Sequence, residues 1–197
     1  MKSHRRAAAC AVAAAALLPA TIRAAAETYA FDPANTFVQF EVRHFGTSTL
    51  RGRFGPLQGQ VMIDAQAGRG RLGLAIPLAS LNTGFKPLDS RLKEPDLLDA
   101  TAQPIAWFVA ERFRFDGDRL LELRGEFTLR GVSVPLSLRA LRFACSDATT
   151  PPRRCGGDFE GELLRSEFGA TFGLPFVADE VRLKLQVEAL RLADPQR

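Results

Sequence analysis

One histidine stands out among the residues that could do chemistry. His44 is the only histidine after residue 26, and it follows Val38, Phe40 and Val42 at every second position. Those four side chains share one face of a β-strand, so we expect His44 to point inward near a strand end. It could contact a ligand headgroup, act as a base, or be a half-buried histidine bonded to the backbone. A metal site needs several convergent ligands, and one histidine without a cluster of further ligands does not indicate such a site.

Charged residues gather in a short stretch that follows Phe85. They are Asp89, Arg91, Lys93, Glu94 and Asp96. Such a run is usually a solvated face, and an ion-pair network at the rim of a barrel is an equally good interpretation. The sequence contains neither the G-x-S-x-G pattern of a nucleophile elbow nor a phosphate-binding P-loop. These residues therefore favour a binding protein over an enzyme.

Two cysteines, Cys145 and Cys155, follow residue 26 and form one even pair. The segment between them includes Pro151-Pro152 and is rich in turn-forming residues. A disulfide would close a loop of roughly a dozen residues. A metal or redox pair is the alternative, but the spacing is not C-x-x-C and no histidine lies nearby. We predict a Cys145–Cys155 disulfide.

Residues 1–26 have the three-part layout of a secretory signal peptide. A short basic head precedes an apolar run over 7–18, and three alanines suit cleavage near Ala26. A membrane anchor is the alternative, but the run is far shorter than the ~20 residues of a spanning helix. Four basic residues in this segment account for the whole excess of 26 basic over 22 acidic residues. We expect a periplasmic or secreted protein whose remaining chain, 27–197, is one neutral domain that does not bind nucleic acid.

Most of the remaining chain alternates apolar and polar residues with period two, as half-buried antiparallel strands do. The apolar faces in the middle of the chain are those of Leu72, Leu74, Ile76 and Leu78 and of Leu121, Leu123, Phe127 and Leu129. The helix-like stretch 88–100 is interrupted by Pro95 and predicts one or two short helical turns. The pattern fits either a β-sandwich or a closed barrel, and a barrel of about eight strands can enclose one small ligand.

Phenylalanine is unusually common: the chain has fifteen phenylalanines, one tryptophan and one tyrosine. A phenylalanine lining needs no hydrogen-bond partner and would suit a ligand with almost no polar atoms. A filled core is the default explanation of the same composition.

Several segments resemble, in order, those of the YceI family. They are Tyr29–Thr36, Val38–His44, Gly52-Arg53-Phe54, Ser80–Gly84, Asp89-Ser90-Arg91-Leu92, Asp96–Ala100, Pro104 with Phe108, Gly125–Leu136, Arg165-Ser166-Glu167-Phe168-Gly169 and Asp179-Glu180-Val181. Because the segments span nearly all of the chain after residue 26, the match is more specific than any one of them. The family often has histidine where this chain has Arg91.

This resemblance implies an all-β fold, an extended antiparallel lipocalin-like β-barrel of about eight strands with a short helical connection. It implies that residues 27–197 bind a polyisoprenoid, an isoprenoid quinone or a fatty-acid-like amphiphile, with no cofactor besides that lipid. We expect the polar end of the ligand near His44, Asp89 and Arg91. The expected ligand-binding residues are Val38, Phe40, Val42, His44, Phe54, Leu72, Leu74, Ile76, Phe85, Asp89, Arg91, Trp107, Phe108, Phe127, Leu129 and Phe168.

Two alternative functions and two partners stay open. An enzyme or redox partner could act on a quinone or lipid in the same barrel, with its chemistry built around His44. A ligand-free β-sandwich could serve in stress protection or protein interaction. Some relatives are associated with membrane b-type cytochromes, so such a cytochrome is a candidate partner, and a homodimer is another candidate assembly.

Overall fold

The structure is a computed structural model that describes residues 26–64, 67–117, 119–146 and 152–193. The expected signal peptide lies outside the described residues, apart from Ala26. The strands are β1 Glu27–Phe31, β2 Phe37–His44, β3 Ser48–Phe54, β4 Gln58–Asp64, β5 Arg69–Pro77, β6 Ile105–Asp116, β7 Arg119–Leu129, β8 Val132–Cys145, β9 Arg154–Leu164 and β10 Val177–Arg191.

These strands form one antiparallel sheet that closes on itself. Strand β10 pairs with β9 on one side, and on the other it pairs with β2 over 177–186 and with β1 over 189–191. Strands β1 and β2 therefore lie end to end, as do their partners β3 and β4, so the ten segments occupy eight positions around the barrel. The closed barrel confirms the expected fold class, and the alternative of a β-sandwich is wrong.

Because consecutive strands run in opposite directions, the connections separate into two ends. The upper end carries the β2–β3 turn, the long β5–β6 connection, the β7–β8 turn and the segment 165–176. The β5–β6 connection contains a short 3-10 helix, Leu78–Ser80, and one α-helix, α1 Lys86–Leu92, with Pro87 in its first turn, where a missing N–H costs nothing. The expected helical connection is therefore present, but it begins before residue 88 and ends ahead of Pro95.

Inward-facing residues fill most of the barrel, and bulges between β6 and β7 change which of them face inward. Leu72, Leu74 and Ile76 of β5 are buried, as the alternation predicts. On β7 the structure buries Leu120 rather than Leu121, because the β6–β7 register shifts between Arg114 and Phe115. One extra residue in a strand reverses the facing of the residues beyond it, so the prediction for Leu121 is wrong.

Three glycines, Gly68, Gly70 and Gly73, have the G-x-G-x-x-G spacing of a dinucleotide-binding loop. Here they span the β4–β5 turn and β5 itself, and no helix follows them to hold a pyrophosphate. Gly70 has a packing role, since a Cβ atom there would lie 2.6 Å from the ring of Phe113.

The lower end is cross-linked by a disulfide between β8 and β9. Cys145 and Cys155 stand directly opposite each other, with Cα atoms 4.0 Å apart and a bond between their sulfur atoms. This confirms the expected disulfide. Cys155 is buried, so the link lies against the barrel interior.

We expect reduction of this disulfide to lower the free energy of unfolding by about 3 kcal/mol, because the opened loop restores entropy to the unfolded chain. Urea unfolding followed by far-ultraviolet circular dichroism, with and without a phosphine reductant, measures the change. The double variant Cys145→Ala, Cys155→Ala is the control and should not respond to the reductant. An unchanged midpoint for the reduced natural chain would contradict the prediction.

Candidate functional site

The upper half of the barrel encloses an apolar cavity with a volume of about 130 Å³. Strands β2, β3, β5, β6, β7, β9 and β10 all contribute to its wall, and Ala106 leaves space on β6. Seven of the expected ligand-binding residues line this cavity: Val38, Phe40, Val42, Phe54, Ile76, Phe127 and Leu129.

A smaller cavity of about 40 Å³ lies in the lower half. Of the expected residues, Leu72, Leu74 and Phe108 line it, and Cys155 of the disulfide lies in the same wall. Strands β5, β6 and β10 each contribute to both cavities. Their residues in the upper wall are Ile76, Ala106 and Leu183. Two positions along each strand, their residues in the lower wall are Leu74, Phe108 and Leu185. Because alternate residues of a strand face the same side, these two sets are adjacent inward layers, and the cavities meet at the boundary between them, where Phe108 is the largest side chain.

A cap formed by two connections closes the upper cavity. Leu92, Leu97 and Leu98 of the β5–β6 connection line the cavity from one side, and Ala170 lines it from the segment before β10. The cap contributes apolar side chains, so the chamber remains apolar up to its upper limit.

Arg165 is the one charged residue in the wall of the upper cavity, and its side chain is only 8% exposed. Its guanidinium donates hydrogen bonds to four backbone carbonyl oxygens, those of Ala170 (2.5 Å), Phe172 (2.9 Å), Val177 (2.8 Å) and Ala178 (2.9 Å). These bonds fix the segment 170–178 around the guanidinium.

The electrostatics of Arg165 follow from this burial. Desolvation lowers the pKa of its guanidinium, and the nearby carboxylate of Asp179 opposes the shift. Asp179 also accepts hydrogen bonds from the backbone N–H and the hydroxyl of Ser166, at 2.8 and 2.6 Å. An arginine keeps its proton in proteins, so a positive charge lies behind the apolar surface of the chamber.

A second arginine ties the cap to the barrel. Arg130, in the β7–β8 turn, donates hydrogen bonds to the carbonyl oxygens of Leu97 and Phe168, both at 2.9 Å, and to that of Pro95. It therefore joins both halves of the cap to one turn. Its own backbone has a φ of 53°, which places it in the left-handed region beside Gly131.

The three residues expected at the polar end lie outside the cavity walls. His44 is half-buried at the end of β2, and its ring meets Phe45 edge-on with centroids 4.6 Å apart. Asp89 accepts hydrogen bonds from the hydroxyl and the backbone N–H of Thr83, both at 2.7 Å, and these bonds lower the pKa of its carboxyl group.

Arg91 forms a bidentate salt bridge with Asp96. Its two Nη atoms donate to the two carboxylate oxygens at 2.6 and 2.7 Å, and these bonds lower the pKa of the Asp96 carboxyl group. The charged stretch is thus a network of ion pairs and hydrogen bonds on the outside of the cap. The interpretation as a network at the barrel rim fits this geometry.

The remaining expected residues have three different positions. Phe168 is buried and packs edge-on against Phe127, with ring centroids 5.7 Å apart. Phe85 precedes α1 with its side chain mostly exposed. Trp107 faces outward, because it alternates along β6 with the inward-facing Ala106 and Phe108. The expectation that Trp107 lines the ligand site does not agree with this orientation.

Sequence reasoning missed Arg165 and Arg130 as parts of the site. Both occur in segments that resemble the YceI family, Arg165-Ser166-Glu167-Phe168-Gly169 and Gly125–Leu136, so the resemblance offered a signal. Nothing in the alternation could indicate them, because each is in a turn and bonds to backbone oxygens.

Some kinds of site are absent from the part of the chain that the structure describes. Histidine, cysteine, aspartate and glutamate do not cluster there in a way that could hold a metal ion. Within those same residues, no helix combines the length and the apolar character needed to cross a membrane.

Comparisons with known proteins agree with this geometry. The family model of the YceI-like domain matches residues 29–189. Protein YceI of Shigella flexneri is 29% identical over 158 residues, covering 80% of this chain and 82% of that protein. A UPF0312 protein of Pseudomonas aeruginosa is 28% identical over the same shares.

Solved structures show the same fold. BcnA of Burkholderia cenocepacia superposes with a TM-score of 0.67 at 23% identity, covering 80% of this chain and 98% of that one. A polyisoprenoid binding domain from Saccharophagus degradans superposes with a TM-score of 0.61 at 16% identity, covering 83% of this chain and 98% of that one. Since the family model spans most of the chain, the protein belongs to the YceI-like family.

Proposed function

We propose that this protein is a carrier that sequesters one long apolar lipid, a polyisoprenoid, isoprenoid quinone or fatty-acid-like chain, inside its barrel. The observation that carries the proposal is the capped cavity, whose accessible lining is entirely apolar. A long hydrocarbon chain matches that lining. The polyisoprenoid-binding domain of the same fold supports the assignment.

The size of the chamber sets a condition on this function. The upper cavity of about 130 Å³ is smaller than the roughly 300–1,000 Å³ typical of small-molecule sites. A long chain must therefore displace wall side chains, and the direction with space beyond the wall is through the layer of Phe108 into the lower cavity. Apolar burial at about 25 cal/mol per Å² can offset such rearrangement over several hundred Å².

The polar end of the ligand belongs beside Arg165 rather than beside His44, Asp89 or Arg91. Four hydrogen bonds occupy four of the five N–H donors of the Arg165 guanidinium among the described residues. Once a ligand displaces wall side chains and exposes the guanidinium, its fifth donor and its positive charge suit an acceptor oxygen such as that of a carboxylate, a phosphate or a quinone. His44 lines neither cavity, which weakens the alternative of an enzyme built around it.

Residues 1–26 support export, and we propose the periplasm or the extracellular space as the site of action. The disulfide agrees with this, because such bonds persist in oxidising compartments. A membrane b-type cytochrome as partner and a homodimer stay predictions of the family resemblance.

Native mass spectrometry of the purified chain tests the carrier function. We expect the protein to carry a bound molecule of discrete mass, and extraction with an organic solvent should release that molecule. The variant Ala106→Phe should lower its occupancy about 10-fold or more, because a phenyl ring needs a cavity of about 150 Å³ and takes up the upper chamber. Val109→Phe, on the outside of the same strand, is the matched control and should keep full occupancy. A bare protein mass even after refolding with added lipid would exclude the carrier function.

The layer between the cavities should limit chain length. We expect Phe108→Ala to join the cavities and to raise the affinity for a longer saturated fatty acid relative to a shorter one, since each further buried CH₂ contributes about 0.8 kcal/mol. Displacement of a fluorescent fatty acid measures both affinities. Phe113→Ala is the control, because it removes a ring from the lower wall and leaves the layer intact. Equal ratios in the two variants would contradict this role of Phe108.

Arg165 should set the preference for the headgroup. We expect the natural chain to bind a long-chain fatty acid more tightly than the matching alcohol, by roughly 10-fold, because a hydrogen bond to a charged group is worth about 1.5–3 kcal/mol. Arg165→Gln should abolish that preference and Arg165→Lys should keep part of it. Arg91→Gln is the control outside the cavity. A preference that survives Arg165→Gln, or that Arg91→Gln removes, would show that the polar end lies elsewhere.

A further inference from the structure

Four phenylalanine side chains project into solvent at the upper end of the barrel. Phe45, Phe85, Phe172 and Phe176 are 60%, 61%, 56% and 64% exposed, and we refer to these four residues as the aromatic rim. They come from three separate connections: the β2–β3 turn, the residue before α1, and the segment that leads into β10. Soluble proteins seldom leave a cluster of large apolar side chains exposed unless the cluster has a partner.

Direct contacts hold the three connections of the rim together. The rings of Phe45 and Phe176 stack with centroids 5.7 Å apart, and the backbone N–H of Phe45 donates a hydrogen bond of 2.7 Å to the carbonyl oxygen of Phe176. The guanidinium of Arg91, on α1, lies 4.1 Å from the centroid of the Phe172 ring. Contacts therefore position the rings of Phe45, Phe172 and Phe176, and Phe85 lies on the same connection as Arg91.

The rim lies directly above the capped cavity. Val42 in the cavity wall precedes Phe45 by three residues, and Leu92 of the cap is on the helix that follows Phe85. Arg165 lines the cavity and also donates to the carbonyl oxygen of Phe172. A lipid that leaves or reaches the upper cavity through the cap must pass the rim.

Charges around the rim are mixed, so electrostatics alone does not favour one partner. Arg43 and Lys86 are exposed next to Phe45 and Phe85, but Glu94 and Glu180 are exposed at the same end. The feature that distinguishes this end is its aromatic rings. Aromatic and aliphatic side chains that insert among lipid headgroups, with cations nearby, are how proteins rest on a bilayer without spanning it.

We propose that the aromatic rim docks this protein on the surface of a lipid bilayer, so that the bound lipid passes between membrane and cavity at this end. The transfer step rests on the proposed carrier function, and the docking itself does not. A bilayer accounts both for the exposed rings and for the cavity beneath them, because it accepts phenylalanine side chains and is also where a long apolar lipid resides.

The single tryptophan of the chain provides an internal control for the test. Trp107 is on the outer wall of β6, and its neighbour Val109 on that face is exposed to a similar extent. We would compare the full natural chain with the variant Trp107→Phe, Phe176→Trp, adding vesicles of phosphatidylethanolamine and phosphatidylglycerol with and without brominated acyl chains. We expect emission from Trp107 to be unchanged. Emission of the tryptophan introduced by Phe176→Trp should shift to the blue, and the brominated lipid should quench it.

A second variant tests whether the rim is responsible for binding. Phe45→Asn, Phe85→Ser and Phe176→Ser together should lower vesicle partitioning about 10-fold or more, since each change removes an apolar ring from the contact. Trp107→Ser with Val109→Ser removes similar apolar area from the outer wall and should leave partitioning within about twofold. Partitioning of the natural chain should persist in 1 M salt, where the Debye length falls to about 3 Å.

Three results would overturn the docking proposal: an unshifted emission at position 176, equal partitioning of the two multiple variants, or complete loss of partitioning in 1 M salt. The first of these would instead favour a protein partner for the rim. Native mass spectrometry of the same rim variant separates this proposal from the carrier function, because a rim variant refolded with lipid should still hold it. A natural chain that docks but never holds lipid would overturn the carrier and leave the docking in place.

Discussion

The fixed width of an eight-stranded barrel is the constraint on which the rest of this structure depends. Once β10 pairs with β9 on one side and with β1 and β2 on the other, the sheet closes on itself and the interior has a set diameter. Inward-facing side chains must then fit within that diameter. The ring of Phe40 fits inside the barrel because the residue opposite is Gly52, where a Cβ atom would lie 2.5 Å from the ring. Small residues opposite large ones decide where the interior is filled and where it stays open.

The open part of the interior lies under the cap, and the cap depends on two arginines rather than on regular secondary structure. Arg130 and Arg165 donate to backbone oxygens of segments that contain only a short helix and turns. Backbone polar groups near an apolar interior must be paired, and these irregular segments pair only part of theirs within themselves. The guanidinium groups fill that need, and one of them thereby places a positive charge beside the cavity.

The sequence predicted the barrel, the disulfide and most of the inner wall, because these follow from period-two alternation, cysteine pairing and the family resemblance. Val38, Phe40 and Val42 face inward as expected. The prediction for Leu121 was wrong, since a bulge is set by the pairing of β6 with β7 and leaves no mark on the alternation of either. Trp107 was expected in the site, yet its neighbours Ala106 and Phe108, which face inward, place it on the outer face of β6. Arg165 acts through bonds to distant backbone atoms, which no local pattern contains.

The pairing of β1 with β10 also has a consequence for how the chain reaches this state. The first strand finds its partner in the last, at residues 189–191, so the sheet cannot close before almost the whole chain is available. Contacts between residues so distant in sequence are slow to form, since the chain loses the entropy of a large loop before the new hydrogen bonds compensate. During that interval the edges of β1 and β10 expose unpaired backbone groups that could pair with another chain. A YceI-like chain that emerges gradually, amino terminus first, must therefore keep β1 from such pairing until its final strand arrives.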